Sequence, residues 1–247
     1  MTVTVHPRTR LIKLIERREV ADRTLAIWLQ KPADFDFTAG QFAELSVPNP
    51  EVDAASEPEH LAFSMASSPE ETELMFATRI RGGTFKQALR NMALGSEIQL
   101  EGPYGNFILH DDATRAAVFL AGGIGITPVR SILVHAAKAK LPNQLVLFYS
   151  NRKPEDAAFL DELRDLQSLN PNYRFIPVMT QSEKSKSSWV GETGHIDKEM
   201  ISKYLDAVVA PIYYVVGSPA FVQALREMLR SAGVKNDDIR SEDFVGY

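Results

Sequence analysis

The sequence contains no cysteine, which excludes disulfides, thiolate catalysis, cysteine-ligated zinc and an iron–sulfur cluster held by this chain. Long apolar runs are missing as well. None approaches the ~18 residues that a membrane span needs, and Met1 to Arg10 holds no apolar signal-peptide core. These two absences predict a cytoplasmic protein with no membrane partner. Charge of one sign is also scarce: 27 lysines and arginines against 32 aspartates and glutamates leave a net charge of −5. The basic residues are scattered rather than gathered into a stripe, which argues against a nucleic-acid partner. His6, His110, His135 and His195 lie far apart, so no metal site is expected.

What is present is apolar residue enough for real cores, 45% of 247 residues, in one large domain or two of ordinary size. Short apolar or alternating runs punctuated by turn residues fill the first part of the chain and predict an antiparallel β-barrel. Its strands are read at Leu11–Arg17, Thr24–Gln30, Gln41–Pro48, Ala62–Ser67, Glu73–Ile80 and Glu97–Leu100, with one helix at Thr84–Met92. From Ala116 onward strands and helices alternate. Strands at Ala116–Ala121, Gln144–Ser150, Tyr173–Val178 and Ile212–Val216 are separated by helices at Pro128–Ala139, Glu155–Ser168 and Asp197–Tyr204, and a last helix covers Ala220–Ala232. That alternation predicts an α/β domain with a parallel sheet, and the change of pattern divides the chain into residues 1–112 and 113–247.

The first strand of the second part runs into Gly122-Gly123-Ile124-Gly125-Ile126-Thr127-Pro128 and then a helix. Glycines let the backbone turn sharply and approach a ligand, and a helix N-terminus offers unpaired N–H groups to phosphate, so Gly122, Gly123, Gly125, Thr127 and Pro128 read as a pyrophosphate binder. Taken alone, a tight turn without ligand remains open, because Pro128 replaces the third glycine of the dinucleotide fingerprint and no acidic residue closes the second strand. A second small-residue turn, Gly217-Ser218-Pro219, follows another strand. Parallel strands place both turns on one edge of the sheet, bordering one crevice. Asn151 and Arg152, after the second strand, suit the adenosine ribose, and Arg152 suits a 2′-phosphate; a solvated loop is the plain alternative.

Read in order with Leu61-Ala62-Phe63-Ser64-Met65-Ala66-Ser67-Ser68-Pro69, Gly40-Gln41-Phe42, Gly102-Pro103-Tyr104-Gly105 and the C-terminal Phe244-Val245-Gly246-Tyr247, these turns resemble the ferredoxin–NADP reductase superfamily, from about Leu11 to Tyr247. The resemblance implies bound FAD and NADPH or NADH. It implies that Phe63 lies against the flavin ring, that Ser64 hydrogen-bonds flavin N5, and that Met65 and Ala66 continue the site. Met75, Phe76, Ala77 and Thr78 and the turn Gly82-Gly83-Thr84 would also line it. The sequence departs from the family at Leu61, where an arginine normally pairs with the flavin phosphate; Arg79, Arg81 and Gly83-Thr84 are the candidates to replace it. At the C-terminus Tyr247 or Phe244 would shield the ring and Glu242 would help relay a proton, although 239–244 reads equally as a final strand.

The expected function is transfer of electrons from NAD(P)H, through bound FAD, to a separate electron-acceptor protein such as an oxygenase component. Two alternatives stand beside it: a flavin reductase that uses free flavin as substrate, and a non-catalytic nucleotide-binding redox subunit.

Overall fold

The computed structural model describes residues 9–47, 60–206 and 208–244. The first half forms one six-stranded antiparallel sheet from β1 (Arg10–Ala21), β2 (Thr24–Gln30), β3 (Phe42–Ser46), β4 (His60–Ser64), β5 (Glu73–Arg79) and β6 (Glu97–Tyr104), in the spatial order β4-β3-β6-β1-β2-β5. An antiparallel bridge between Met65, just past β4, and Phe76 in β5 joins the two edge strands and closes the sheet into a barrel. Closure removes the unpaired edges. The interior is filled by alternate residues of the strands, among them Ile12, Leu14, Leu29, Leu45, Leu74 and Leu100. Helix α1 (Thr84–Asn91) caps it with Phe85 and Leu89.

The second half is a six-stranded parallel sheet built from β7 (Ala117–Gly122), β8 (Leu145–Asn151), β9 (Tyr173–Met179), β10 (Glu192–Thr193), β11 (Ile212–Gly217) and β12 (Ile239–Asp243), in the order β10-β9-β8-β7-β11-β12. Helices α2 (Ile126–Lys138) and α3 (Leu160–Leu169) cover one face, while α4 (Lys198–Leu205) and α5 (Pro219–Ser231) cover the other. Strands β7, β8 and β11 are apolar almost throughout because both faces are buried. The chain order reverses beside β7, with β8 on one side and β11 on the other, which places the crevice at the carboxyl ends of β7 and β11.

Two sequence expectations change, and one of the two readings held for the end of the chain is present. The helix expected from Glu155 starts at Leu160, because Phe159 takes a left-handed φ of 60° after a short turn at Pro154–Asp156. Gly102-Pro103-Tyr104, read as a turn, continues β6, since Tyr104 pairs with Phe42 of β3. Residues 239–243 form the strand β12, paired in parallel with β11.

Candidate functional site

A cavity of about 560 Å³ opens where the barrel meets the end of β12, a volume in the range of small-molecule sites. Phe42, Leu61, Ala62, Phe63 and Ser64 of β3 and β4 form one wall, and Glu242, Asp243 and Phe244 form another. The third is Arg81-Gly82-Gly83 with Phe85 and Lys86 at the start of α1. Gly82 and Gly83 have φ of 97° and 78°, and nothing lies within 4 Å of where a side chain would begin on either. Only glycine adopts that conformation at no cost, and here it leaves an open cradle ahead of the helix.

Glu242 is the electrostatic singularity of the cavity. Burial, with Asp243 beside it, pushes its carboxyl up to about 7. Its Oε2 is buried and has no hydrogen-bond partner among the described residues. A buried carboxyl left without a donor favours its protonated form, which is the direction of the Glu242 shift.

The two glycine turns meet. A Cβ on Gly125 would stand 2.8 Å from the carbonyl oxygen of Val216 and 2.9 Å from Cα of Gly217, so the approach of the turns requires glycine. The ring of Phe221, in the first turn of α5, lies against both Gly122 and Gly217. Three of the glycines expected to admit a ligand thus serve first to pack one turn on the other. Ser218 caps α5, its hydroxyl accepting from the amide of Phe221 at 3.4 Å, and Pro219 takes the first helical position. Thr127 and Pro128 are buried inside α2, the Thr127 hydroxyl donating to the carbonyl of Ile124.

The barrel and the sheet are stitched together beside the cavity. From α2, the guanidinium of Arg130 donates to Ala66 O at 2.6 Å and to both Glu71 oxygens at 3.1 and 3.2 Å, pairs with Glu162 of α3, and stacks on Phe159. Burial alone would raise the Glu71 carboxyl, but Arg130 outweighs it and holds that carboxyl below its usual range. Ser131 donates to Ser67 O at 2.7 Å, and His135 meets Glu70 at 2.6 Å. From β5, Arg79 donates to the carbonyl of Asp156 at 2.9 Å and lies over Gly123. The segment 66–71, which follows Ser64, is therefore positioned largely by α2.

Of the residues expected at a flavin, Phe63, Ser64, Gly82, Gly83, Glu242 and Phe244 share the cavity. Phe63 is only 3% exposed and already stacks with Phe85, ring centres 5.8 Å apart. Met65 and Phe76 fill the barrel core instead, and Met75, Ala77 and Ala66 form an apolar seam with Ile124 of the second half. Strand alternation turns Phe76 into the barrel and its neighbours Met75 and Ala77 outward onto the seam, so none of them lines the cavity. Thr78 is buried in the barrel, its hydroxyl without a partner among the described residues. Thr84 opens α1. Asn151 is buried at the end of β8, and Arg152 is exposed next to it. Tyr247 lies outside the described residues. His60 is exposed, with Nδ1 2.5 Å from the Ser46 hydroxyl, on the other face of β4 from Leu61. Sequence reasoning missed Lys86 and Arg130. Neither sits in a motif weighed at the sequence level; the packing of α1 brings Lys86 into the cavity wall, and that of α2 sets Arg130 on the segment that follows β4.

Residues 119–227 match the oxidoreductase NAD-binding domain family. The reductase component of propane 2-monooxygenase from Mycolicibacterium goodii is 28% identical over 98% of this chain and 66% of its own length. Its counterpart from Rhodococcus jostii is 29% identical over 87% of this chain and 57% of its own length. The chain thus spans less than two thirds of the length of the propane 2-monooxygenase reductases it matches. Among solved structures, a ferredoxin NADP+ reductase from Neisseria gonorrhoeae with bound FAD and NADP superposes with a TM-score of 0.80 at 21% identity, covering 95% of this chain and 98% of that one. The flavohem-like FAD/NAD-binding domain of a nitric oxide dioxygenase from Vibrio cholerae gives 0.80 at 20% identity, covering 95% and 98%. No helix among the described residues is long and apolar enough to cross a membrane.

Proposed function

Taking the chain as a two-part member of the ferredoxin–NADP reductase superfamily, we propose that it is an FAD-dependent NAD(P)H oxidoreductase that passes electrons to a separate electron-transfer protein or oxygenase component. Residues up to about 112 hold the flavin and residues 113–247 hold the nicotinamide nucleotide. The observation that carries this reading is the cavity itself. It joins Phe63 and Ser64 of the barrel to Glu242 and Phe244 of the parallel sheet, and Phe244 is tied to the second glycine turn.

The residues present fit a flavin. The cavity has the volume and the aromatic walls for a planar ring, the open cradle at Gly82-Gly83 for its tail, and an unpartnered carboxyl oxygen at Glu242. FAD, when bound, supplies the hydride-accepting ring and the choice between one- and two-electron transfer. Ser64 offers a hydroxyl to the ring, Glu242 holds or releases a proton at Oε2, and Phe63 and Phe244 keep water away. Gly122, Gly123, Gly125 and the Gly217–Pro219 turn border the nucleotide, and Asn151 and Arg152 meet its adenosine end. Arg152 gives NADPH a partner for its 2′-phosphate. The setting is the cytoplasm.

A second reading, a reductase that uses free flavin as substrate, is favoured by Leu61, an apolar side chain in the cavity wall where the superfamily normally carries a phosphate-pairing arginine. Anaerobic stopped-flow mixing of the flavin-loaded protein with NADH and with NADPH tests the main proposal. Bleaching of the flavin by at least one of them is expected, and its absence with both would sink it. Retention of FAD at one equivalent through purification favours the bound-cofactor reading; colourless protein that reduces added FMN favours the second.

A further inference from the structure

We propose that Glu155 is a positioning residue at the head of a hydrogen-bonded relay that couples the adenosine end of the nucleotide crevice to the flavin cavity. The inference rests on the flavin and nucleotide readings given above and adds a link between the two sites. Its starting point is an oversized connection. β8 ends at Asn151 and α3 starts at Leu160, which leaves residues 152–159 between them, more than the ~2–6 residues that usually join a strand to a helix.

On the nucleotide side, this connection and the loop that follows β9 hold each other. The amides of Thr180 and Gln181 donate to the carbonyls of Asn151 and Arg152 at 2.9 and 2.8 Å, so the loop starts beside the two residues proposed for the adenosine end. Further along the loop, the Ser185 hydroxyl and the Lys186 amide both donate to Oε1 of Glu155 at 2.8 Å. The amide of Glu155 itself, together with those two donors, holds its carboxyl down at about 2. The carboxylate therefore stays ionised and keeps its grip on the loop at any working pH.

On the flavin side, the route is main chain throughout. The carbonyl of Glu155 accepts from the amide of Asp22, in the turn between β1 and β2, at 2.8 Å. The carbonyl of Arg23, the next residue of that turn, accepts from the amide of Ile80, also at 2.8 Å. Ile80 follows β5 and precedes Arg81-Gly82-Gly83, the third wall of the cavity. Beside this route the Arg79 side chain makes a parallel tie from the end of β5 to the carbonyl of Asp156. Short links thus lead from Ser185 and Lys186 to the flavin cavity without passing through either glycine turn.

The relay contains strained backbone at two points. Arg23 and Phe159 take left-handed φ of 53° and 60°, a region that arginine and phenylalanine rarely enter. Such residues persist only where the surrounding contacts hold them, and they yield when one of those contacts changes. A nucleotide that settles on Arg152 and the loop moves Glu155, and with it the Asp22-Arg23 turn and the cavity wall.

The test uses AMP, which fills the adenosine end and brings no nicotinamide to touch the flavin, so that any effect on the flavin travels through the protein. FMN is titrated into flavin-free full-length protein with and without saturating AMP, followed by quenching of flavin fluorescence. AMP is expected to tighten FMN binding by at least about fivefold, the lower end of typical coupling between sites. By linkage FMN should tighten AMP by the same factor, read by calorimetry. Asp22→Pro removes the amide donor at a turn position, ahead of a left-handed residue, that proline suits. In Asp22→Pro, and separately in Glu155→Ala, the effect of AMP on FMN should fall below about twofold, while Asp22→Pro binds each ligand alone as the native protein does. Glu155→Gln keeps an acceptor oxygen for Ser185 and Lys186 and should retain most of the coupling. Full coupling in Asp22→Pro, or a native protein in which AMP leaves FMN binding unchanged or weaker, would overturn the relay and leave both site readings intact. A native protein that binds no FMN, or no AMP, removes the flavin or the nucleotide reading respectively, and the relay with it.

Discussion

The amide of Phe244 donates to the carbonyl of Gly217 at 2.9 Å. One hydrogen bond thus fixes the residue after β12 to the turn that starts α5, while the Phe244 ring packs against the apolar seam of Ala26, Ala66, Met75, Ala77 and Ile124 between barrel and sheet. A residue that touches both the proposed flavin cavity and the proposed nucleotide crevice is placed to control the passage between them.

Phe244→Ala should keep the backbone tie and remove the ring. We expect a loss of roughly 2 kcal/mol of stability, less than for a fully buried phenylalanine, measurable by urea unfolding. Bound flavin should become more exposed to a soluble quencher such as iodide. Unchanged quenching would show that the ring shields nothing.

Gly125→Ala places a methyl group against the backbone of Val216 and Gly217, which are fixed in β11 and its turn. Overpacking of that kind costs typically about 1–3 kcal/mol. The expected signature is a lowered melting temperature with weakened NADH and NADPH binding by calorimetry, and flavin affinity unchanged. Loss of flavin affinity in equal measure would mean that the two sites are not separable in this way.

Removing the charge of Arg130 leaves the partly buried Glu71 and the exposed Glu162 without their shared cation. Arg130→Met is expected to destabilise by about 2–3 kcal/mol in denaturant unfolding, below the penalty for breaking a fully buried ion pair because water reaches both carboxylates. Adding Glu71→Gln and Glu162→Gln should recover much of it. The Glu71 carboxyl is held low in the folded protein, so its contribution is present at neutral pH and disappears as pH falls through the folded value. The Arg130→Met variant should therefore lose part of the acid sensitivity of the native protein.

Glu242 works in the opposite direction. Its folded value of about 7 lies above the ordinary value of 4.5, so the folded chain binds the proton more tightly than the unfolded one. Its contribution is full below about 4.5 and is lost as pH rises through about 7, a change of up to about 3 kcal/mol. Melting temperatures across that window should fall with rising pH in the native protein and stay flatter in Glu242→Gln. Equal slopes in both proteins would remove Glu242 as the titrating group.

Much of the fold was legible because its strands are short apolar runs bounded by turn residues. Short apolar runs at β2 and β5, and those of β7, β8 and β11, gave the strands to within a residue or two. Short or exceptional backbone was not legible. The two-residue β10 carries no pattern, and the left-handed Phe159 delays α3 without glycine or asparagine to announce it. Ser64, Gly82, Gly83 and Glu242, singled out in the sequence because small, polar or late-chain residues stand in recognisable order, line one cavity. Met65, Met75, Phe76, Ala77 and Thr78 lie near them in sequence but turn into the barrel or the seam, a matter of strand parity that one residue of register decides. Arg130 was invisible, since an arginine in a helix reads as solvated until Glu71 arrives from another part of the chain.

The stitching by α2 bears on how such chains can be recombined. Grafting this barrel onto a different parallel-sheet half would strip Glu70, Glu71, Ala66 O and Ser67 O of His135, Arg130 and Ser131 at one stroke. The fragment that travels intact is therefore larger than either sheet: a successful exchange has to carry segment 66–71 and helix α2 together, as a single inherited unit.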